Sequence, residues 1–317
     1  MAHTPLSGTQ HSLRAGGYEA VIASVGASLR SLTYEGRNLT VPFDADEVRP
    51  NFRGATLAPW PNRIIDGRYV FGGVERQLAL TEPRRSHALH GLAGWLEFEA
   101  IDKGASHVTL AAVIEPQIGY PWRVTVTTTF ALNSEGLTQT VIATNDSRES
   151  VPWGTSAHPY LSAGESALDS WSLELPASDV LAVAGERLLP DGLGGVDDSD
   201  PERFDFRRAR SLGAVEIDHA YTGLLPDADG LTTVRVTDAA GRGVAIIWDA
   251  ACPWVQVHTA DQPDGPSNPN HRIGLAVEPM TCAPDAFNAD AYPYDTGLIV
   301  IEPGGTSTAH WRIVAIA

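Results

Sequence analysis

The ionisable residues that draw attention sit in five short stretches that mix them with Gly, Pro and Trp in ways simple strand packing does not require. They are residues 57–67 (LAPWPNRIIDG), 86–91 (SHALHG), 151–161 (VPWGTSAHPYL), 274–288 (GLAVEPMTCAPDAFN) and the weaker 216–224 (EIDHAYTGL). In the fourth, the apolar run Leu275-Ala276-Val277 ends in Glu278-Pro279, which reads as a strand presenting a carboxylate at a sheet edge or rim, since proline cannot continue a central ladder. Taken alone, Glu278 reads equally as a turn cap or an arginine partner, and His158, before Pro159 and Tyr160, as a hydrogen-bonded structural histidine.

Other chemistries find less support. His87 and His90, three residues apart, invite a metal, but no H-E-x-x-H and no cupin-type spacing accompanies them, so no metal is expected. Neither a P-loop nor a G-x-G-x-x-G opening a helix is present, which leaves nucleotide cofactors without a foothold. Residues 154–158 (GTSAH) are no nucleophile elbow, because G-x-S-x-G would need glycine where His158 stands.

The elements that must position these residues are strands. Residues 124–130 (VTVTTTF) and 137–145 (LTQTVIATN) are rich in β-branched side chains and meet near Asn133-Ser134-Glu135-Gly136, the pattern of an antiparallel hairpin. Residues 232–238, 243–249, 298–302 and 310–316 repeat the signal, with Asp191-Gly192, Asp229-Gly230 and Gly304-Gly305 as turn punctuation. Helical periodicity is scarce; residues 202–214 could hold one short helix. Many short strands predict an all-β sandwich or barrel. With no linker, composition break or internal repeat, the 317 residues read as one domain. Residues 261–272 (DQPDGPSNPNHR) read as a long loop of the kind that carries sites on a rigid sheet.

Bulk properties narrow the partners. The chain has 22 basic and 39 acidic residues, a formal charge of −17, and such a field repels nucleic acid and anionic membrane surfaces. Two cysteines, Cys252 and Cys282, make no disulfide framework and no C-x-x-C motif. The amino-terminal stretch lacks the apolar core of a secretory signal, and no apolar run reaches the ~18–20 residues needed to span a bilayer, so a cytoplasmic protein is expected.

Taken together, Arg63 in PWPNRI, His90 in ALHG, His158 in GTSAHPYL, Asp218 in EIDHAY, Gln256 in VQVH and Glu278 in VEPMTCAPDAFN follow one chain order. That order and those strings resemble the aldose 1-epimerase (galactose mutarotase) family, from about Ala20 to Val314. The resemblance implies a large antiparallel β-sandwich of the galactose mutarotase type, with few short helices and an open cleft across one sheet. It implies a cofactor-independent isomerase acting on a small-molecule sugar, as a monomer or weak homodimer. It casts Glu278 as general base and His158 as general acid, with Asn62, Arg63, His90, Asp218 and Gln256 as sugar contacts. Trp60, with Trp153 and Trp254, is a candidate for stacking on the sugar or for core.

Opening a hemiacetal ring requires a proton to leave the C1 hydroxyl while another reaches the ring oxygen. A carboxylate and an imidazolium on either side of that O–C–O unit do both. Burial near Glu278 or Asp218 is expected to favour protonated His158. The Trp60-Pro61 form of the asparagine–arginine motif looks more like a bacterial subgroup that includes sulfoquinovose mutarotases. Glucose, galactose and an anionic 6-substituted hexose therefore stay open as substrates, with Arg53, Arg84 and Arg85 as candidate basic groups for the last. A sugar-binding module that keeps the fold without catalysis is the competing class, and the presence of both Glu278 and His158 argues against it.

Overall fold

The computed structural model describes residues 3–198 and 200–317. Two large antiparallel sheets carry the chain. The first runs, in spatial order, Glu99–Lys103, His107–Ile114, Val124–Asn133, Gly136–Asn145, Thr306–Ile316, Gly243–Trp248, Thr232–Thr237, Ser172–Glu174 and Arg210–Ser211. The second runs Leu189–Gly195, Ala177–Ala184, Asp218–Leu224, Trp254–His258, Leu275–Met280, Ser156–Ala157 and Thr56–Leu57, with Tyr160–Leu161 also paired to Leu275–Met280.

The expected hairpin forms as read, Asn133 pairing with Gly136 and Val124 with Asn145. Val124–Asn133 alternates strictly, with Val124, Val126, Thr128, Phe130 and Leu132 buried between partly exposed neighbours. That period of two turns one face of the sheet inward. Val126, Phe130, Val141, Trp311 and Ile313 of the first sheet join Tyr221, Val255, Val257, Leu275 and Val277 of the second in one buried cluster, which makes the pair a sandwich. A polar bridge crosses this core: Gln139 Nε2 donates to Thr56 Oγ1 at 2.9 Å and to Thr128 Oγ1 at 3.2 Å, and Trp311 Nε1 donates to Gln139 Oε1 at 3.1 Å. Every member spans otherwise apolar surroundings, so the network fixes how the two sheets face each other.

Helix is confined to short turns, and the expected helix over residues 202–214 shrinks to Pro201–Phe204, capped where the Asp200 side chain accepts from Arg203 N. It ends there because Phe204 and Phe206 are both buried, which two successive alternate residues achieve on extended chain rather than on a helix. Arg210–Ser211 then becomes an edge strand on Ser172–Glu174. No helix among the described residues is long and apolar enough to cross a membrane.

Candidate active site

The site is written in the register of the second sheet. Gln256 pairs with Glu278 and Ala220, and His258 pairs with Ala276 and Asp218. On the other side of Leu275–Met280, Ser156 pairs with Met280 and Tyr160 with Ala276. The same register, continued through the unpaired residues between, sets His158 opposite Glu278. Two rows result: Ala220, Gln256, Glu278, His158, and beside it Asp218, His258, Ala276, Tyr160. Because side chains two residues apart share a face, all point away from the core.

Glu278 is therefore not at an edge, as its Glu-Pro step suggests. Its strand is flanked on both sides, and Pro279 is tolerated where the chain opposite is itself interrupted at His158-Pro159. His158 is anchored by its backbone, N–H to Ala55 O at 3.1 Å and C=O from Gly54 N at 2.8 Å. Its Nε2 lies 3.4 Å from Glu278 Oε1, and its ring stacks on Tyr160 with centroids 5.1 Å apart.

A second group of side chains comes from loops. Asn62 and His90 both have left-handed backbones, with φ of 53° and 58°. His90 N donates to Asn62 O at 2.8 Å, and Asn62 N donates to His90 Nδ1 at 3.2 Å. Next to His90, Gly91 has φ +70° and a Cβ there would lie 2.1 Å from Ala58 O, so only glycine permits the approach of the two segments. Arg63 sits on Arg63–Ile65, paired with His87–Leu89, and binds Glu82 through Nε at 2.8 Å and Nη2 at 3.1 Å. Its Nη2 is 3.9 Å from Asp218 Oδ2. Gln256 Nε2 donates to Asp218 Oδ1 at 2.6 Å.

These side chains line one open cleft of about 1130 Å³. The long loop contributes Asp261, Gln262, Pro263 and His271 to its wall, as its sequence suggests. The arginines of the wall, among them Arg63, Arg84, Arg85 and Arg203, contrast with the acidity of the chain as a whole.

The electrostatics of the pair run against expectation. Burial pushes the Glu278 carboxyl well above its ordinary range, with Asp218 adding to the shift and Arg63 opposing it. Burial also pulls His158 down to about 3, helped by His258, and the attraction of Asp218 is too weak to reverse this. Both shifts favour the neutral forms, a carboxylic acid beside an unprotonated imidazole. Burial likewise holds His90 well below its ordinary value, assisted by His158 and Arg63. Asp218 is held down to about 2: burial alone would raise it, but His258, Arg63 and the Gln256 hydrogen bond outweigh that. Burial would lower Arg63, yet Asp218, Glu82 and Glu278 raise it.

His90, His158 and Glu278 bring one potential ligand atom each within 4.8 Å of one another. The donor set does not suit a metal. Neutral His90 has one ring lone pair, and it is at Nδ1, already accepting from Asn62 N, so Nε2 carries the proton and acts as a donor. Among the described residues, three buried atoms at the site lack a partner: His158 Nδ1, Gln256 Oε1 and Glu278 Oε2. The arrangement offers one acceptor–donor pair for proton transfer, fixed donors at Arg63 and His90, and an unpaired amide oxygen.

Seven of the eight residues expected from the sequence thus meet in the cleft: Glu278, His158, Asn62, Arg63, His90, Asp218 and Gln256. Trp60 does not. Its indole is buried edge-on to Phe287 and donates to Ala88 O at 3.1 Å, a core position that satisfies its one polar atom. Trp153 and Trp254 are core as well. Arg53 is buried behind Tyr160, bound to Pro42 O and Asn270 Oδ1, and does not line the cleft. Glu82, His258 and Trp95 belong to the wall and were not expected. His258 could have been found two residues from Gln256 on the same strand face; Glu82 carried no local signal.

With this geometry in hand, the comparisons with known proteins are specific. The family described as aldose 1-epimerase matches residues 9–313. The uncharacterized protein YihR of Escherichia coli K12 is 35% identical over 285 residues, 89% of this chain and 87% of its own length. Mouse galactose mutarotase is 25% identical over 269 residues, 78% of this chain and 75% of its own. Among solved structures, a GalM/aldose epimerase homologue from Caenorhabditis elegans superposes with a TM-score of 0.81 at 19% identity, covering 98% of this chain and 100% of its own. A second solved structure, from E. coli K12, gives 0.80 at 22% identity, covering 97% of this chain and 99% of its own; both share the fold. The chain belongs to the aldose 1-epimerase family, and with it to the isomerases that act on carbohydrates.

Proposed function

We propose that the protein interconverts the α and β anomers of an aldohexose by opening and reclosing the hemiacetal ring, with Glu278 as general base and His158 as general acid. The observation that carries the proposal is the buried Glu278–His158 pair, 3.4 Å apart across adjacent chain segments at the floor of the cleft. As Glu278 takes the C1 hydroxyl proton and His158 gives one to the ring oxygen, the C1–O5 bond breaks and C1 becomes an aldehyde. Rotation about C1–C2 and the reverse transfers give the other anomer.

The pair holds one proton throughout. Ring opening starts from carboxylate and imidazolium and ends with carboxylic acid and imidazole, the distribution that burial favours in the free protein. Sugar hydroxyls donating to Glu278 Oε2, otherwise unpartnered, stabilise the carboxylate and move the proton to His158. Arg63, held by Glu82, and His90 Nε2–H supply donors for the carbonyl oxygen of the open chain. Gln256, whose amide N–H is committed to Asp218, accepts a sugar hydroxyl at Oε1.

A second reading concerns the substrate. Arg84 is exposed on the cleft wall and has no carboxylate partner among the described residues, while neighbouring Arg85 is bound to Glu82 at 2.7 Å. An unpaired guanidinium there suits an anionic substituent at C6, a sulfonate or a phosphate.

The test is polarimetry on freshly dissolved α-D-glucose, α-D-galactose and a 6-sulfonated or 6-phosphorylated hexose, with wild type and Glu278→Gln. Wild type is expected to accelerate mutarotation, and Glu278→Gln to lose about 10²–10⁴-fold. The fastest sugar assigns the substrate. A folded wild type that accelerates none of them, or a Glu278→Gln variant at full rate, overturns the proposal.

A further inference from the structure

The turn that follows Glu278, residues 281–288 (TCAPDAFN), stands out in the sequence yet takes no part in the proton transfer. At its centre is Asp285, a buried carboxylate on the same run of chain as the base. Arg63–Ile65 belongs to a two-stranded sheet with His87–Leu89, so one of its edges has no strand beside it among the described residues. Backbone groups of alternate residues face the same edge, and there Arg63 and Ile65 both meet Asp285. Arg63 O accepts from Asp285 N at 2.8 Å, and Ile65 N donates to Asp285 Oδ1 at 2.9 Å. Asp285 thus stands where a third strand would. The carboxylate is itself fixed: Oδ1 also accepts from Asn288 Nδ2 at 3.0 Å, and Oδ2 from the Tyr292 hydroxyl at 2.6 Å. Phe287, two residues on, packs edge-on against Trp60 and Tyr69 at 5.7 and 5.1 Å and anchors the turn in the core.

We propose that Asp285 is a positioning residue for ring opening: it clamps the open edge of Arg63–Ile65 and so fixes where the Arg63 guanidinium stands in the cleft. The inference rests on the mutarotase reading for its effect on rate, and on the hydrogen bonds alone for the clamp. A donor aimed at a developing oxyanion helps only if its place is set before the reaction begins. Arg63 is held from two directions. Glu82 ties the guanidinium to a neighbouring turn at 2.8 and 3.1 Å, whereas Asp285 ties the backbone to the segment that carries Glu278. The base and the arginine are thereby set at a fixed spacing by one stretch of chain.

The backbone of Asp285 is left-handed, with φ of 60°. Asp285→Gly therefore deletes the carboxylate without adding strain. Asp285→Asn tolerates the same backbone and keeps an acceptor for Ile65 N, with the Tyr292 hydroxyl turning to accept from the new amide. Mutarotation kinetics of both are measured with the best sugar, in the wild-type and Arg63→Ala backgrounds. With Arg63 present, Asp285→Gly is expected to lower kcat/KM about tenfold and Asp285→Asn to keep most of the rate. In the Arg63→Ala background the loss from Asp285→Gly should shrink to less than about twofold, because the two residues act as a unit. Equal losses in both backgrounds, the mark of a merely structural role, overturn the proposal, and so does a full rate in Asp285→Gly. Amide hydrogen exchange tests the clamp apart from activity. The Ile65 amide is expected to be protected in wild type and to exchange at least about tenfold faster in Asp285→Gly. An unprotected Ile65 amide in wild type overturns the clamp even if Asp285→Gly does not fold. If wild type accelerates no sugar, the mutarotase reading and the role in ring opening fail together, and the exchange result decides whether Asp285 holds the Arg63 strand.

Discussion

The depressed basicity of His158 makes the acid stability of the fold a direct test of the site's electrostatics. An unfolded histidine titrates near ~6.5, whereas in the folded chain His158 titrates at about 3 because it is buried beside His258. The unfolded state therefore binds a proton that the folded state refuses. Stability from this group is fully present above ~6.5 and is lost as pH falls toward 3, at ~1.4 kcal/mol per pH unit. Between pH 7.5 and 4.5 the loss amounts to about 2–3 kcal/mol. Glu278 runs the other way: its raised pKa contributes stability that is fully present below the ordinary carboxylate range and fades as pH rises through its folded value. The two partly cancel in the wild type, so the comparison belongs in a Glu278→Gln background, where burial and His258 still act on His158. Urea unfolding of Glu278→Gln and of Glu278→Gln/His158→Gln at both pH values isolates the histidine, since every other titrating group is common to the two. The single variant should lose about 2–3 kcal/mol more than the double variant on acidification. Equal losses would refute the reasoning and mean that His158 titrates in the folded protein as it does in the unfolded chain.

The remaining predictions concern the frame around the pair. Gln139→Leu strands the buried Trp311 Nε1–H and leaves Thr128 Oγ1 without its partner at the centre of the sandwich; urea unfolding should show a loss of about 1–3 kcal/mol, and none would mean the bridge is not formed. Glu82→Gln replaces the charged bidentate partner of Arg63 by a neutral amide, and kcat/KM for the best sugar should fall about tenfold or more, in step with ~1.5–3 kcal/mol for a hydrogen bond to a charged group. An unchanged kcat/KM would remove Arg63 from the proposed donor set.

How much of this was legible beforehand differs by level. The strand content, the hairpin at Asn133–Gly136 and the absence of long helices were visible because alternation and turn residues act over a few positions. Seven of the eight residues named from the sequence line the cleft, and they were legible because their local strings, in their order, matched a family pattern. Trp60 misled for the same reason: a tryptophan beside a site motif carries no mark of whether it faces the cleft or the core, and only the neighbouring Phe287 and Ala88 O decide that. Trp95 faced the opposite problem, since its exposure depends on Arg49 and Phe52, more than forty residues earlier in the chain.

What the sequence determined by itself was the chemical inventory: one carboxylate and one imidazole suited to trading a proton, on a chain built to form sheets. The tertiary structure decided their pairing and their charge. Cross-strand register, a long-range property, set His158 against Glu278, and burial then favoured the neutral carboxyl and the neutral imidazole, opposite to the order of free side chains. Desolvation acts on charge in three dimensions and leaves no trace in residue order, which is why the residues could be read from the sequence and their protonation could not.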